Sequence, residues 1–511
     1  MACMYCKRDD KFVKESGACI LHCSKDGWIT LKDEKKVWDR ENVKLFWKTI
    51  RTEVMNGRGA ISFQRMVFPI FEEPCIQVCS SSHHSHVMYE ASSDFSFWAK
   101  GQQLCFTDKV DFSYVRFIEP FAFSNILFKE VGFNSVKSAH ILFKESTISH
   151  INFKEIKVDK IVFKKSAVKK LFFDRVKVSK LLIHGNHIEK MFITKSKIGT
   201  VHAQNIQDGI NIIVNDSQLT RFEALQLRND RLNLSNSRIN TVNINNLNTE
   251  KFELQNSVID EFLYQESNAH IFNINNSQFS KAFHIASGRI SQFILEKSNI
   301  LENASVWLSD LIFQTFKIDS MMSILPTCSF EHIKIQQLFS LQNLKINMMY
   351  AHEIDCSATT CHIAFKNMII NEANSMGFNW GVLKHEGFDS DEKTLANLYR
   401  IYLEKDDIAQ ANLFSPTLSS KSLEWAEKNI EQRQVIREKG YSLSLFKKEV
   451  KAPIVKEEVD KRTSTITTFE DENAPILKSH PGFQDNLKNM FQKPCKIIGC
   501  FKPSDKENEN E

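Results

Sequence analysis

The first chemistry legible in this chain is that of thiolates. The N-terminus runs ACMYCKRDDKFVKESGACILHCSK, so Cys3, Cys6, Cys19 and Cys23 fall as C-x2-C-x12-C-x3-C. Two close ligand pairs joined by a polar loop let four thiolates converge on a tetrahedral ion, and structural Zn2+ is the expected cofactor. His22 is the alternative to Cys23, because both lie near Cys19. Residues 1–30 hold too few apolar groups to fold by core burial, so metal would supply their stability. Four protein donors leave no open coordination position, which argues against catalysis there.

Other chemistry is weaker. Cys75 and Cys79 precede His83, His84 and His86 in CIQVCSSSHHSH, which reads more readily as a polar loop than as a metal site. Cys495 and Cys500 have no further ligand nearby. A phosphate loop, a nucleophile elbow, an HExxH and a paired-carboxylate site are all missing, so no enzyme is expected. His184 and His187 fall on outward positions with no carboxylate partner at a predictable place.

The elements that would carry these residues follow from a beat of five. Residues 151–180 read INFKEIKVDKIVFKKSAVKKLFFDRVKVSK, with apolar residues at steps of two, then three. A step of five turns about 140° round a helix and scatters the apolar set over its circumference. On a flat strand the same steps switch faces every five residues. The chain must therefore bend every five residues to keep each apolar pair inward. Phe153, Val158, Phe163, Val168, Phe173 and Val178 hold one register, with Ile151, Ile161, Ser166 and Leu171 as second inward residues. The register runs back to Phe123, slips by one place near Asp208 and again before Ile285, and reaches about residue 371. Only 16 Gly and 10 Pro among 511 residues suit a chain that turns by a regular coil better than a β-sandwich.

This pattern resembles the pentapeptide-repeat proteins. The resemblance implies a mainly β fold, a right-handed quadrilateral parallel β-helix, over residues 108–371. Large residues often stand here where that family has a small one, so the chain resembles a degenerate member. Phe143, Phe153, Phe163 and Phe173 take every second unit, as four walls would require. Twenty residues per coil and a rise of about 4.8 Å give some thirteen coils and a rod roughly 60 Å long.

Outward residues twenty apart stack on one wall. Lys137, Lys157, Lys177 and Lys197 form such a column; Leu142, Val162 and Leu182 form another, and Phe172 with Phe192 a third. Residues 121–200 carry sixteen Lys plus Arg against six Asp plus Glu, a balance of +10 in a chain of net +4. A basic wall suits nucleic acid or an anionic surface, or serves only to keep a rod soluble and its edges blunt. Pentapeptide-repeat proteins that imitate duplex DNA and bind gyrase carry an acidic surface, and this rod's charge argues against that role. The apolar columns call for cover, from the chain's own flanking helices, a second copy or a protein partner. Outward Asn211, Asn233, Asn243, Asn245, Asn273 and Asn275 are read as structural hydrogen-bonding positions.

The flanks divide into a capping segment at 31–107, a helical segment at 372–445 and a tail at 446–511 whose polar composition predicts disorder. In RENVKLFWKTIRTEVMNG, Val43, Phe46, Trp47, Ile50 and Val54 share a helix face and Gly57 ends it. The pairing of CILHC with LFWKTIR resembles a bacterial type of pentapeptide-repeat protein with a CxxHC-like start, a Phe-Trp-Lys helix and a helical segment after the repeats. Asp389 with Glu392 is the expected N-cap of the first C-terminal helix, and Leu395, Leu398, Tyr399 and Tyr402 its packing face. A second helix is predicted from Ser420 to Lys439, with Leu423, Ala426 and Ile430 inward. No stretch approaches the roughly 18 apolar residues of a membrane span, and a cytoplasmic location is expected. The expected function is a non-enzymatic scaffold that binds a protein partner or itself; the alternative is nucleic-acid or anionic-surface binding through the Lys column.

Overall fold

A computed structural model describes residues 3–6, 12–13, 17–32, 35–56, 61–70, 93–95, 103–358, 360–379, 388–438 and 495–498. The chain winds into a parallel β-solenoid of about 13 turns. Its register is the expected one: Lys137 pairs with Lys157, Lys157 with Lys177 and Lys177 with Lys197, so one coil is twenty residues. Later coils lengthen, with steps of 21 from Lys197 to Gln218, 22 from Ser305 to Thr327 and 24 from Leu338 to His362. The irregularities at residues 206–211 and at residues 279–282, opposite 259–261, coincide with the two slips in the sequence beat.

Four inward pairs per coil, such as Ile151/Phe153, Ile156/Val158, Ile161/Phe163 and Ser166/Val168, are all buried. They give the bore four walls. Phe133, Phe153 and Phe173 stack at 5.0 and 5.1 Å on one wall, and Phe123, Phe143 and Phe163 at 5.1 and 4.9 Å on the opposite one. Between the walls the rings meet edge to face, as Phe143 does with Phe153 at 73°. These are the geometries that ring quadrupoles favour.

Every tenth residue turns a corner in the left-handed region: Glu145, Glu155, Lys165, Arg175, Gly185 and Lys195 have φ between 49° and 61°. For a non-Gly residue this costs about 1 kcal/mol. Coil-to-coil hydrogen bonds offset it, as where Glu155 N–H donates to Asp174 O at 3.0 Å and Lys165 N–H to His184 O at 3.1 Å. Buried serines seal the next position. The N–H of Ser196 donates to Ser217 Oγ, that of Ser217 to Ser237 Oγ and that of Ser237 to Ser257 Oγ, all at 3.1 to 3.2 Å. The asparagine ladder that forms along the axis lies on Asn215, Asn236, Asn256 and Asn276, linked side chain to side chain at 2.8 to 3.0 Å. These are corners and their neighbours, not the wall positions named from the sequence.

The ladder outruns the pentads at both ends. Ile61 and Ser62 pair with Val110 and Asp111, and Phe388–Ser390 pairs with Ile363, Ala364 and Phe365. Helix α1, Arg40–Asn56, closes the first end. Its Val43, Phe46, Trp47, Ile50 and Val54 are buried, and Asp39 Oδ1 accepts from the N–H groups of Glu41 and Asn42. At the other end stand α2 (Glu392–Glu404), α3 (Ile408–Phe414) and α4 (Ser420–Glu438). Asp391, not Asp389, caps α2 through the N–H of Thr394. Asp389 instead pairs with Lys366, because it lies on the last strand. Leu395, Leu398 and Tyr402 are buried as expected, while in α4 only Ala426 of the three named residues is fully so. No described helix is long and apolar enough to cross a membrane. Of the expected tail only 495–498 is described, as a strand beside 103–106.

Candidate metal centre and outer walls

Cys3, Cys6, Cys19 and His22 bring one donor atom each within 4.8 Å of one another. The group could hold a metal ion. Cys6 Sγ lies 3.4 Å from Cys19 Sγ, and His22 Nδ1 lies 3.2 Å from Cys19 Sγ and 3.8 Å from Cys3 Sγ. Zn–S bonds of about 2.3 Å and Zn–N bonds of about 2.05 Å set tetrahedral edges of about 3.8 Å between sulfurs and about 3.5 Å from sulfur to nitrogen. The two sulfur–nitrogen separations bracket their edge, and the sulfur–sulfur separation of 3.4 Å falls short of its own by a few tenths of an ångström. The turn at residues 19–23, where the N–H groups of His22 and Cys23 both donate to Cys19 O, carries His22 back over the Cys19 side chain.

The second ring nitrogen is committed to the rod. His22 Nε2 lies 3.2 Å from Gln64 O, so it donates its proton there and Nδ1 keeps its lone pair toward the sulfurs. Cys23, expected as the fourth thiolate, stands apart from the cluster. Its Sγ meets Lys25 Nζ at 3.2 Å and the carbonyl of Ile20 at 3.7 Å. Lys25 is fully buried, donates to the carbonyls of Ile20 and Cys23 at 2.6 and 2.8 Å, and faces the Trp28 ring at 4.6 Å. Burial raises the Cys3 thiol, but hydrogen bonds from the backbone of Cys19, Tyr5 and Cys6 outweigh it and bring the group down to about 7. Burial pushes Cys19 up to about 12. Cys3, Cys6, Cys19 and Cys23 are free thiols, as are Cys105, Cys328, Cys356 and Cys361. Cys75, Cys79, His83, His84, His86 and Cys500 lie outside the described residues; Cys495 lies on the strand beside Gln103.

On the rod, the four lysines Lys137, Lys157, Lys177 and Lys197 stand exposed in one column, continued by Gln218 and Arg238. Among the described residues none of the four makes an ion pair. Lys157, Lys177, Lys197 and Arg238 line a groove of about 560 Å3, with the exposed Asp159 also in its lining. Arg175 and Lys195 extend the basic surface round the neighbouring corner, though Arg175 is paired with Glu155 at 3.0 Å.

Leu142, Val162 and Leu182 are half-buried in a second column that ends at His202. Phe172 and Phe192 stack at 4.9 Å in a third, which continues into Ile213. Cover by the chain's flanking helices is not what α1 and α2 provide, since both sit on the ends of the rod: Trp47 lies against Phe121, and α2 lies on 362–379. Sequence reading missed the pair in which His202 Nδ1 meets Glu223 Oε2 at 2.6 Å. The one-place slip near Asp208 shifts their spacing to 21, which hides it. No protein family, curated protein or solved structure matches the chain.

Proposed function

We propose that this protein is a non-enzymatic scaffold of the pentapeptide-repeat type, a rod that holds a protein partner on its walls. The observation that carries this reading is the pair of apolar strips, Leu142–Val162–Leu182 and Phe172–Phe192–Ile213, half-open on adjacent coils of a rigid ladder. Side chains of this size in contact with water are stabilised by a covering surface, and the capping helices are already spent on the ends. Zn2+ at Cys3, Cys6, Cys19 and His22 would order the N-terminal segment; three thiolates and one imidazole suit it, and a reducing cytoplasm would keep the thiols available. Crosslinking of the full chain in a host lysate, with Val162→Lys and Phe172→Lys variants alongside, tests the reading. A specific adduct lost in both variants supports it. An adduct unchanged in both sinks it.

A second reading has its own observation, the groove between unpaired lysines. Charges of one sign stacked at about 4.8 Å repel, and a polyanion laid along the column would relieve them. Binding of a duplex or an anionic vesicle that weakens steeply between low and moderate salt favours this reading; an apolar protein interface would change little over the same series.

A further inference from the structure

Near the C-terminal end of the rod, Asp310, His332 and Glu353 occupy three left-handed corners, with φ of 53°, 50° and 53°. Asp310 and His332 are direct neighbours across the ladder, since Ser309 pairs with Glu331 and Leu311 with Ile333. His352, one residue before Glu353, reaches the same edge, with its ring centroid 5.4 Å from that of His332. His332 Nδ1 lies 3.2 Å from Asp310 Oδ1, so Nδ1–H donates to the carboxylate and the Nε2 lone pair faces Glu353. His332 Nε2 lies 3.7 Å from Glu353 Oε2, and His352 Nε2 lies 3.7 Å from Glu353 Oε1.

We propose that His332 Nε2, His352 Nε2 and the Glu353 carboxylate form a second metal site, which takes a divalent transition-metal ion of the Zn2+ type and is oriented by Asp310. Bonds of about 2.05 Å to nitrogen and oxygen set a tetrahedral edge of about 3.3 Å. Each imidazole needs to close on its nearer Glu353 oxygen by a few tenths of an ångström, and the donor atoms as a set already lie within 4.8 Å of one another. Their side chains are exposed and free to do so. A carboxylate behind one ligand histidine is the usual way to fix ring and tautomer. The site also has room. Gly377 stands against His352 and Glu353, where a Cβ would come within 3.2 Å of Glu353 N, and a cavity of about 630 Å3 opens between Lys334, His352, Asp355 and Phe378. Two imidazoles and one carboxylate select Zn2+, Ni2+ or Cu2+ over Ca2+ and Mg2+. Three protein donors leave a fourth position for water or for a donor from a bound molecule, unlike the N-terminal cluster.

Cobalt separates the two sites, because thiolate ligation gives an intense charge-transfer absorption and nitrogen–oxygen ligation gives only weak d–d bands. Titration of the full chain with Co2+ is expected to show both signals. In the His332→Asn/His352→Ala double variant the d–d component should disappear while far-UV circular dichroism stays unchanged, since Asn tolerates the left-handed corner. Glu353→Gln, nearly isosteric, should weaken the same ion, and Asp310→Asn should do so by 10- to 100-fold. A Co2+ ion retained by the double variant with undiminished affinity, or a wild-type chain that binds no ion outside thiolate ligation, would overturn the proposal. Because the two signals are distinct, failure of the N-terminal site would leave this test intact.

Discussion

Trp47 lies flat over Phe121, with ring centroids 6.4 Å apart and planes 15° from parallel, while its Nε1–H donates to Ile70 O at 2.8 Å. Phe121, in the N-terminal coils, thus has an aromatic lid from α1, and the lid is pinned by its one polar atom. Trp47→Ala should destabilise the N-terminal coils by about 3–5 kcal/mol, whereas Trp47→Phe should keep most of the packing and lose the hydrogen bond. Amide hydrogen exchange of residues 103–134 in the two variants reads this directly, with faster exchange expected in the alanine variant.

The opposite end is sealed by polar groups. Asp391, Thr394, Asn397 and Arg400 lie three residues apart along one face of the α2 region, and each meets the open edge of the last coil. The N–H of Asn367 donates to Asp391, that of Met368 to Thr394 Oγ1 at 2.9 Å and that of Ile370 to Asn397 Oδ1 at 2.9 Å. Arg400 Nη2 then donates to Ile370 O at 2.8 Å, and Nη1 to Glu404 Oε1 at 2.6 Å. An open β edge invites a further strand, and this row of side chains occupies it. Arg400→Ala should cost about 1.5–3 kcal/mol, because it removes charge-assisted bonds to Glu404 and Ile370 O and leaves those acceptors only Arg433 at 3.7 Å and Asn397 Nδ2 at 3.2 Å. Urea unfolding followed on the C-terminal helices measures the loss, and light scattering should show the variant aggregating sooner than wild type.

How much of this was legible depends on where the constraint lives. The bore was readable because Phe, Val and Ile recur at a fixed step, and Lys137, Lys157, Lys177 and Lys197 fall into one column by counting alone. The face of α1 was readable for the same reason. The C-terminal seal was not, because Asp391, Thr394, Asn397 and Arg400 look like an ordinary polar stripe until an unpaired strand edge is known to lie beneath them. Cys23 misled on spacing: in C-x2-C and C-x3-C alike the chain can return a donor, and what selects His22 is Gln64 O, forty-two residues away. The left-handed corners at Glu155, Lys165 and Arg175 carry no Gly or Asn to announce them, since coil-to-coil hydrogen bonds offset their strain.

The His202–Glu223 pair gives the rod a pH-dependent contribution. Its hydrogen bond with Glu223 raises His202 above its ordinary 6.5 against the pull of burial, and the same bond lowers Glu223 below its ordinary 4.5. For a raised histidine the stabilisation is complete below 6.5 and fades as pH climbs through the folded-state value. For a lowered carboxylate it is complete above 4.5 and fades as pH falls through the folded-state value. The pair should therefore help most between pH 4.5 and 6.5, by about 1 kcal/mol. The difference in urea stability between wild type and His202→Gln, followed from pH 4 to 9, should peak in that window. A difference flat across the range would remove the ion pair from the account.

At the N-terminus the geometry separates two neighbouring residues that a motif search would treat as equivalent. His22 turns Nδ1 toward Cys19 and anchors Nε2 on Gln64 O, whereas Cys23 faces Lys25. His22→Ala removes a proposed metal donor and one link to the rod, so the full-length protein should hold the thiolate-ligated ion at least tenfold more weakly. Cys23→Ser keeps all four proposed donors and should hold that ion as tightly as wild type. The thiolate charge-transfer absorption of the Co2+-loaded protein, which the His332–His352–Glu353 site does not give, distinguishes them. An ion held by Cys3, Cys6, Cys19 and His22 would tie residues 3–6 to residues 19–22, so chelation should speed amide exchange at residues 19–28 while leaving the 137–197 coils protected. The reverse order, with the band weakened in Cys23→Ser and intact in His22→Ala, would put Cys23 back among the ligands and His22 among residues that only pack.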